Sequence, residues 1–187
     1  RDIEEMAANP PRNMYRIHDL VNLKIHNENL YYMVLRDSIL HSFTGNLVDM
    51  MALFNYYLKL GFTDQALDIA WSLPQEPSVM GHAGRVLLAN GLAEEALEFL
   101  QHAAGTSAEM ENQRIKAHIQ LKQYAEAEQI ASQPILAPSL QTMNLRVSLA
   151  SLQQLPLETY LHRMDILLDS QVKMMAADMP SGDSSAD

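Results

Sequence analysis

The chain has 187 residues, 48% of them hydrophobic, with 13 basic and 23 acidic side chains and a formal net charge of −10. That length and apolar share can bury a substantial core, while the acidic balance argues against a surface built for polyanions, since phosphate binding depends on basic side chains and counterion release. Cysteine is absent, which excludes a disulfide framework, a thiolate metal site and a cysteine nucleophile.

Only 7 glycines and 8 prolines are present, and Leu, Ala, Met, Gln and Glu dominate. These are good helix formers, so an all-α protein is expected. No apolar run approaches the length of a membrane span. The first residue is Arg1 and no leader-like segment follows, which reads as the C-terminal fragment of a longer protein or as a processed chain.

In chain order, residues 1–11 are a short lead broken at Pro10 and Pro11. Residues 12–25 read as a helix with Met14, Ile17, Leu20, Val21 and Leu23 on its apolar side, and residues 30–43 as a second helix after a turn at Asn27-Glu28-Asn29. Tyr31, Tyr32 and Met33 are placed to cover a preceding repeat. Asn46 is a candidate cap for the next helix, with Asp49 in a box-like position three residues later. Helix pairs are then expected at 47–60 with 63–73, 78–90 with 93–104, and 108–121 with 124–132. Thr106 and Glu109 suggest a capping box at the start of the third pair. Residues 139–153 and 157–176 form a fourth, degenerate pair. The small acidic residues from Pro180 onward are expected to be disordered. The domain reading is therefore 1–46 as N-terminal helices left from an upstream repeat, 47–176 as a repeat array, and 177–187 as an acidic tail.

The repeat itself is legible. Tyr57–Leu67, Leu87–Leu97 and Ile119–Glu128 can be superposed so that Ala66, Ala96 and Ala127 coincide, 30 and 31 residues apart. A fixed period in this range means stacked supersecondary units. Each copy has an apolar helix, a tight turn at Gly61, Gly91 or Lys122, and a second helix opening near Thr63, Ala93 or Ala125. Glycine suits a left-handed helix C-cap, so the turn at Lys122 is expected to differ in detail. One such pair cannot bury its apolar face alone, so neighbours must stack. The fold class is therefore an α-solenoid of stacked antiparallel helix hairpins.

The segments Tyr57-Leu-Lys-Leu-Gly-Phe-Thr-Asp-Gln-Ala-Leu-Asp68 and Ala89-Asn-Gly-Leu-Ala-Glu-Glu-Ala-Leu-Glu-Phe-Leu100 resemble the junction of the first and second helices in the tetratricopeptide and pentatricopeptide repeat superfamily. The resemblance covers residues 47–133, and 139–170 more weakly. The period is shorter than the roughly 34 residues of a tetratricopeptide repeat. The Met- and Leu-rich pairs with a drifting period look more like degenerate animal mitochondrial pentatricopeptide proteins of the leucine-rich type. The resemblance implies a concave face lined by first helices, and a base-reading position near the start of each first helix, which aligns with Met51, Gly81 and Asn112. Reading a base edge needs a hydrogen-bonding side chain, which Asn112 alone supplies.

Charge points the same way. Between residues 48 and 105 only Lys59 and Arg85 are basic, against Asp49, Asp64, Asp68, Glu76, Glu94, Glu95 and Glu98. Arg114, Lys116 and Lys122 make the best basic cluster, but Glu109, Glu111, Glu126 and Glu128 lie close in sequence, which reads as a mixed, salt-bridged solvent face. Enzyme signatures are missing. The histidines at 18, 26, 41, 82, 102, 118 and 162 never pair at His-x-x-x-His spacing, and neither a phosphate-cradling glycine loop nor a Gly-x-Ser-x-Gly elbow occurs. Glu94 and Glu95 suit a helix N-terminus on dipole grounds alone.

Met50, Met51, Met80, Met110, Met143, Met164, Met174 and Met175 read as core filler, or else as the lining of an adaptable groove. Trp71, Tyr56 and Tyr57 read as packed between helices, or else as partly exposed on a concave face. The function expected is non-catalytic scaffolding that holds a protein or peptide, with Asn55, Tyr56, Lys59, Arg85, Asn112, Arg114 and Lys116 as groove residues. No metal, cofactor, small-molecule substrate or membrane is expected. One setting is a pentatricopeptide-like mitochondrial protein of RNA metabolism or translation, with RNA touched through the parent protein. The alternative is an intracellular, cytoplasmic tetratricopeptide-type adaptor unrelated to RNA.

Overall fold

The computed structural model of the chain describes residues 17–133 and 139–177. The Pro10-Pro11 lead and the acidic tail from residue 178 onward lie outside the described residues, and Ala177 is the last residue of a helix. Among the described residues all regular structure is helical, in ten helices: α1 Ile17–His26, α2 Glu28–His41, α3 Leu47–Lys59, α4 Thr63–Trp71, α5 Pro77–Ala89, α6 Ala93–Gln101, α7 Ala108–Gln120, α8 Tyr124–Ala131, α9 Leu140–Leu152 and α10 Leu157–Ala177. The expected all-α class is met. The chain divides into two compact units, Arg1–Gln75 and Glu76–Asp187. In the first, α1 packs on α2, α2 on α3 and α3 on α4. In the second, each helix packs on the next, and the alternate helices α5, α7 and α9 also touch in succession.

One backbone motif recurs four times. Gly61, Gly91, Lys122 and Gln154 have φ of 78°, 83°, 59° and 53°. At each, the following residue donates its N–H five residues back: Phe62 to Tyr57 O, Leu92 to Leu87 O, Gln123 to His118 O and Leu155 to Ala150 O, at 2.8–3.1 Å. The left-handed residue itself donates three residues back, to Leu58, Leu88, Ile119 and Ser151, at 3.0–3.1 Å. This is the Schellman closure, which satisfies the last carbonyls of a helix. The expectation that Lys122 would turn differently is overturned. The two hydrogen bonds and the packing of the flanking helices hold its backbone in the left-handed region despite its Cβ. Because a non-glycine residue there carries strain of about 1–2 kcal/mol, and glycine loses about 0.5–1 kcal/mol more on folding, Lys122→Gly is expected to stabilise the protein modestly. A rise in melting temperature of roughly 1–3 °C would show it; a fall would mean that the lysine side chain contributes contacts outweighing the strain.

The second helix of each copy opens identically. Phe62, Leu92 and Gln123 sit at φ near −90° and ψ of 67–69°, and their carbonyls accept from Ala66, Ala96 and Ala127 at 2.9–3.1 Å. These three alanines have no exposed surface, because a side chain larger than a methyl group would hold the paired helices apart. Other caps follow the chain's polar residues. Asn46 Oδ1 accepts the Asp49 N–H at 2.8 Å. Asp49 in return takes the Thr44 N–H and hydroxyl at 3.0 and 2.8 Å, and these bonds hold its carboxyl below the usual range. The expected box at Thr106 does not form, and the cap falls one residue later. Ser107 is the cap of α7, accepting from the Met110 N–H, and Thr106 donates its hydroxyl to Ala103 O.

The second unit's core joins Ile115, Ala127, Ile130, Ala131 and Leu149, with Phe99, Leu100, Met80 and Leu87 also fully buried. Methionine is core filler only in part: Met80 is buried, but Met174 and Met175 are exposed, because α10 buries only Leu167. Trp71 is likewise 44% exposed rather than enclosed.

Candidate functional site

The first helices of successive pairs in the second unit line one groove of about 480 Å³. α5 contributes Arg85, Leu88 and Ala89; α7 contributes Gln113, Lys116, Ile119 and Gln120; α9 contributes Leu145 and Ser148. The helix turn explains the set, since Gln113, Lys116 and Gln120 stand at i, i+3 and i+7 on one face of α7. Ile119 and Leu145 back onto the core, so the groove has an apolar floor and polar edges. Its lining carries two cations and no carboxylate.

Arg85 is held loosely. Its Nη1 donates to Glu109 Oε1 at 3.1 Å, with both side chains about half exposed, so the pair contributes no more than about 1 kcal/mol. Its Nη2 donates to His82 Nδ1 at 2.9 Å, an arrangement that needs that nitrogen unprotonated. Burial, and then the charge of Arg85, accordingly push the His82 pKa down. An incoming carboxylate can replace Glu109 at little cost.

Arg85 and Lys116 therefore line the same groove. Asn112 and Arg114 are not groove residues. Asn112 is 1% exposed; its Oδ1 accepts the Thr142 hydroxyl at 3.0 Å, tying α7 to α9. Arg114 donates from Nη1 to Glu111 Oε2 at 2.7 Å and from Nη2 to Gln101 Oε1 at 3.1 Å. Glu111, only 1% exposed, also accepts the Gly105 N–H at 2.6 Å. The expected solvent face thus contains a buried ion pair, because the Gly105 turn brings its N–H over the start of α7.

The remaining expected residues lie in the first unit. Asn55 donates its amide to Met51 O of its own helix at 2.8 Å. Tyr56 packs with Tyr32 at a ring separation of 6.0 Å, and burial pushes its hydroxyl pKa up. Lys59 is exposed in the last turn of α3, where the helix dipole favours a cation. Of the base-reading positions, Gly81 is buried. A Cβ built on it would lie 2.5 Å from Met110 Sδ and 3.1 Å from Ala103 Cβ.

Gln113, Gln120, Leu145 and Ser148 escaped the sequence reading. For the two glutamines the signal was present, one helical turn on either side of Lys116. For Leu145 and Ser148 it was not, because the fourth copy departs from the repeat. Among the described residues, no group of three His, Asp or Glu side chains converges to hold a metal, and no helix is long and apolar enough to cross a membrane. Comparison of the chain with family models, curated proteins and solved structures gives no match.

Proposed function

We propose that this chain is a non-catalytic helical-repeat scaffold, an α-solenoid of stacked antiparallel hairpins, whose first-helix groove docks a segment of a protein partner. The observation that carries the reading is the groove on α5, α7 and α9: an apolar floor of Leu88, Ala89, Ile119 and Leu145 edged by Arg85, Lys116 and two glutamines. Apolar anchors give affinity, and polar edges fix the register of a bound peptide. A segment alternating apolar and acidic residues suits this lining best.

Protein is favoured over RNA by two further facts. Asn112, the polar side chain at a base-reading position, is buried against Thr142. Arg114, one of the three clustered cations, is already paired with Glu111. This leaves too few cations to track a phosphate backbone. A pentatricopeptide-like parent in mitochondrial RNA metabolism and a tetratricopeptide-type adaptor both accommodate a protein-docking segment.

The test is fluorescence anisotropy with labelled Leu/Asp-containing peptides and, separately, mixed single-stranded RNA at low salt. Peptide binding is expected to weaken about tenfold, or about 1.4 kcal/mol, for Arg85→Glu and for Lys116→Glu, with no RNA binding. Salt-sensitive RNA binding lost on Lys116→Ala and Lys122→Ala would overturn the reading.

A further inference from the structure

A second concavity lies between α9 and α10, a notch of about 210 Å³ lined by Met143, Arg146, Thr159, His162, Arg163 and Ile166. It has no carboxylate in its lining, although the chain as a whole carries a net charge of −10. Its two arginines differ in state. Arg163 is fixed, donating from both terminal nitrogens to the Glu128 carboxylate at 3.0 and 2.8 Å and from Nη1 to the Arg146 carbonyl at 2.8 Å. Glu128 therefore answers its charge. Arg146 is not answered: among the described residues no carboxylate pairs with its guanidinium. Its Nε is enclosed, so an anion entering the notch would meet the guanidinium at its terminal nitrogens. Thr159 adds a hydroxyl from the first turn of α10, where the helix dipole is positive, and His162 adds an imidazole one turn further along.

We propose that this notch binds a phosphate group, with Arg146 as its principal charge partner. Donors come from two helices, the Arg146 guanidinium on α9 and the Thr159 hydroxyl and His162 imidazole on α10. That suits a tetrahedral dianion with three acceptor oxygens better than a planar carboxylate, which a single arginine fork can satisfy. At roughly 30 Å³ per water, the space holds a phosphate and a few waters. The site is solitary rather than part of a row of cations, so it fits an isolated phosphomonoester or free phosphate and not a nucleic-acid backbone. The notch shares no lining residue with the groove on the first helices.

The test is a titration of the ¹⁵N-labelled chain with inorganic phosphate at constant ionic strength, followed by amide shifts. It is repeated with a phosphoserine peptide and with its unphosphorylated form. Saturable shifts at Arg146, Thr159 and His162 are expected. Arg146→Met should weaken binding at least tenfold and Thr159→Val severalfold, while Arg85→Met leaves it unchanged. An unaltered melting temperature in Arg146→Met would show that the fold survives, and Arg146→Lys should restore part of the binding by restoring charge. Binding of the phosphopeptide well above that of free phosphate identifies a modified protein as the source; equal binding identifies the small ion. Absence of saturation, equal binding by Arg146→Met, or displacement by single-stranded RNA at lower phosphate concentration than the free ion would overturn the proposal.

Discussion

Glu111→Leu is expected to lower stability by about 3–5 kcal/mol, the usual cost of removing one partner of a buried ion pair. The carboxylate sits almost fully enclosed at the start of α7 and answers two separate donors, the Gly105 N–H at 2.6 Å and Arg114 at 2.7 Å. Its loss leaves a backbone N–H unsatisfied in the turn between α6 and α7. It also strands an arginine that is 16% exposed and whose Nε already lacks a partner. For a chain of this size the melting temperature should fall by roughly 6–20 °C. Replacing both partners, as Glu111→Met with Arg114→Met, should cost less than the single change, because no charge is then left buried. A thermal melt of the wild type, the single and the double variants checks this. A double variant less stable than Glu111→Leu would show that the two side chains act separately and not as a pair.

This pair marks the boundary of what the sequence discloses. Helix positions were legible because the turn chemistry is local: Gly61 and Gly91 announce a left-handed C-cap, and Ala66, Ala96 and Ala127 announce close helix approach. At Lys122 the repeat placed a turn but not its left-handed form, and at Gln154 nothing announced one, because there the backbone hydrogen bonds and the packing of flanking helices dictate the conformation against residue preference. Site residues were legible only where helical spacing suffices. Arg85 and Lys116 meet because they stand on the same face of successive first helices. Asn112 and Arg114 lie on α7 as well, but rotated toward neighbours that only the tertiary arrangement supplies, Thr142 thirty residues on and Gly105 in the preceding turn. A polar side chain at a helix start reads as solvated until the element covering it is known. Arg146 was silent for the same reason, since its interest lies in the want of a carboxylate partner and in Thr159 and His162 on the next helix.

Gly84→Ala is expected to destabilise the protein by a net amount of about 1–2 kcal/mol, against the ordinary gain from replacing a glycine inside a helix. Alanine in place of glycine normally adds about 0.5–1 kcal/mol at such a position. At Gly84 the new methyl would meet Leu100 Cγ at 2.7 Å and the Ala96 carbonyl oxygen at 3.0 Å. Leu100 is fully buried and the carbonyl belongs to the backbone of α6, so relief requires the two helices to separate. Overpacking of this kind costs about 1–3 kcal/mol. Gly81→Ala is the control on the same helix. There the nearest atom is Met110 Sδ at 2.5 Å, the far end of a flexible side chain that can turn aside, so its effect should be smaller than that of Gly84→Ala. Denaturant melts of the two variants measure the difference directly. The comparison also bears on the repeat's use. Gly84 is set against Ala96 and Leu100 of α6, whereas Gly81 is set against Met110 of α7 and Ala103 in the turn before it. Separating α5 from α6, on which α7 also packs, should shift Arg85 relative to Lys116, so Gly84→Ala should weaken peptide binding as well as stability, whereas in Gly81→Ala, where Met110 can turn aside, the loss of binding should be smaller.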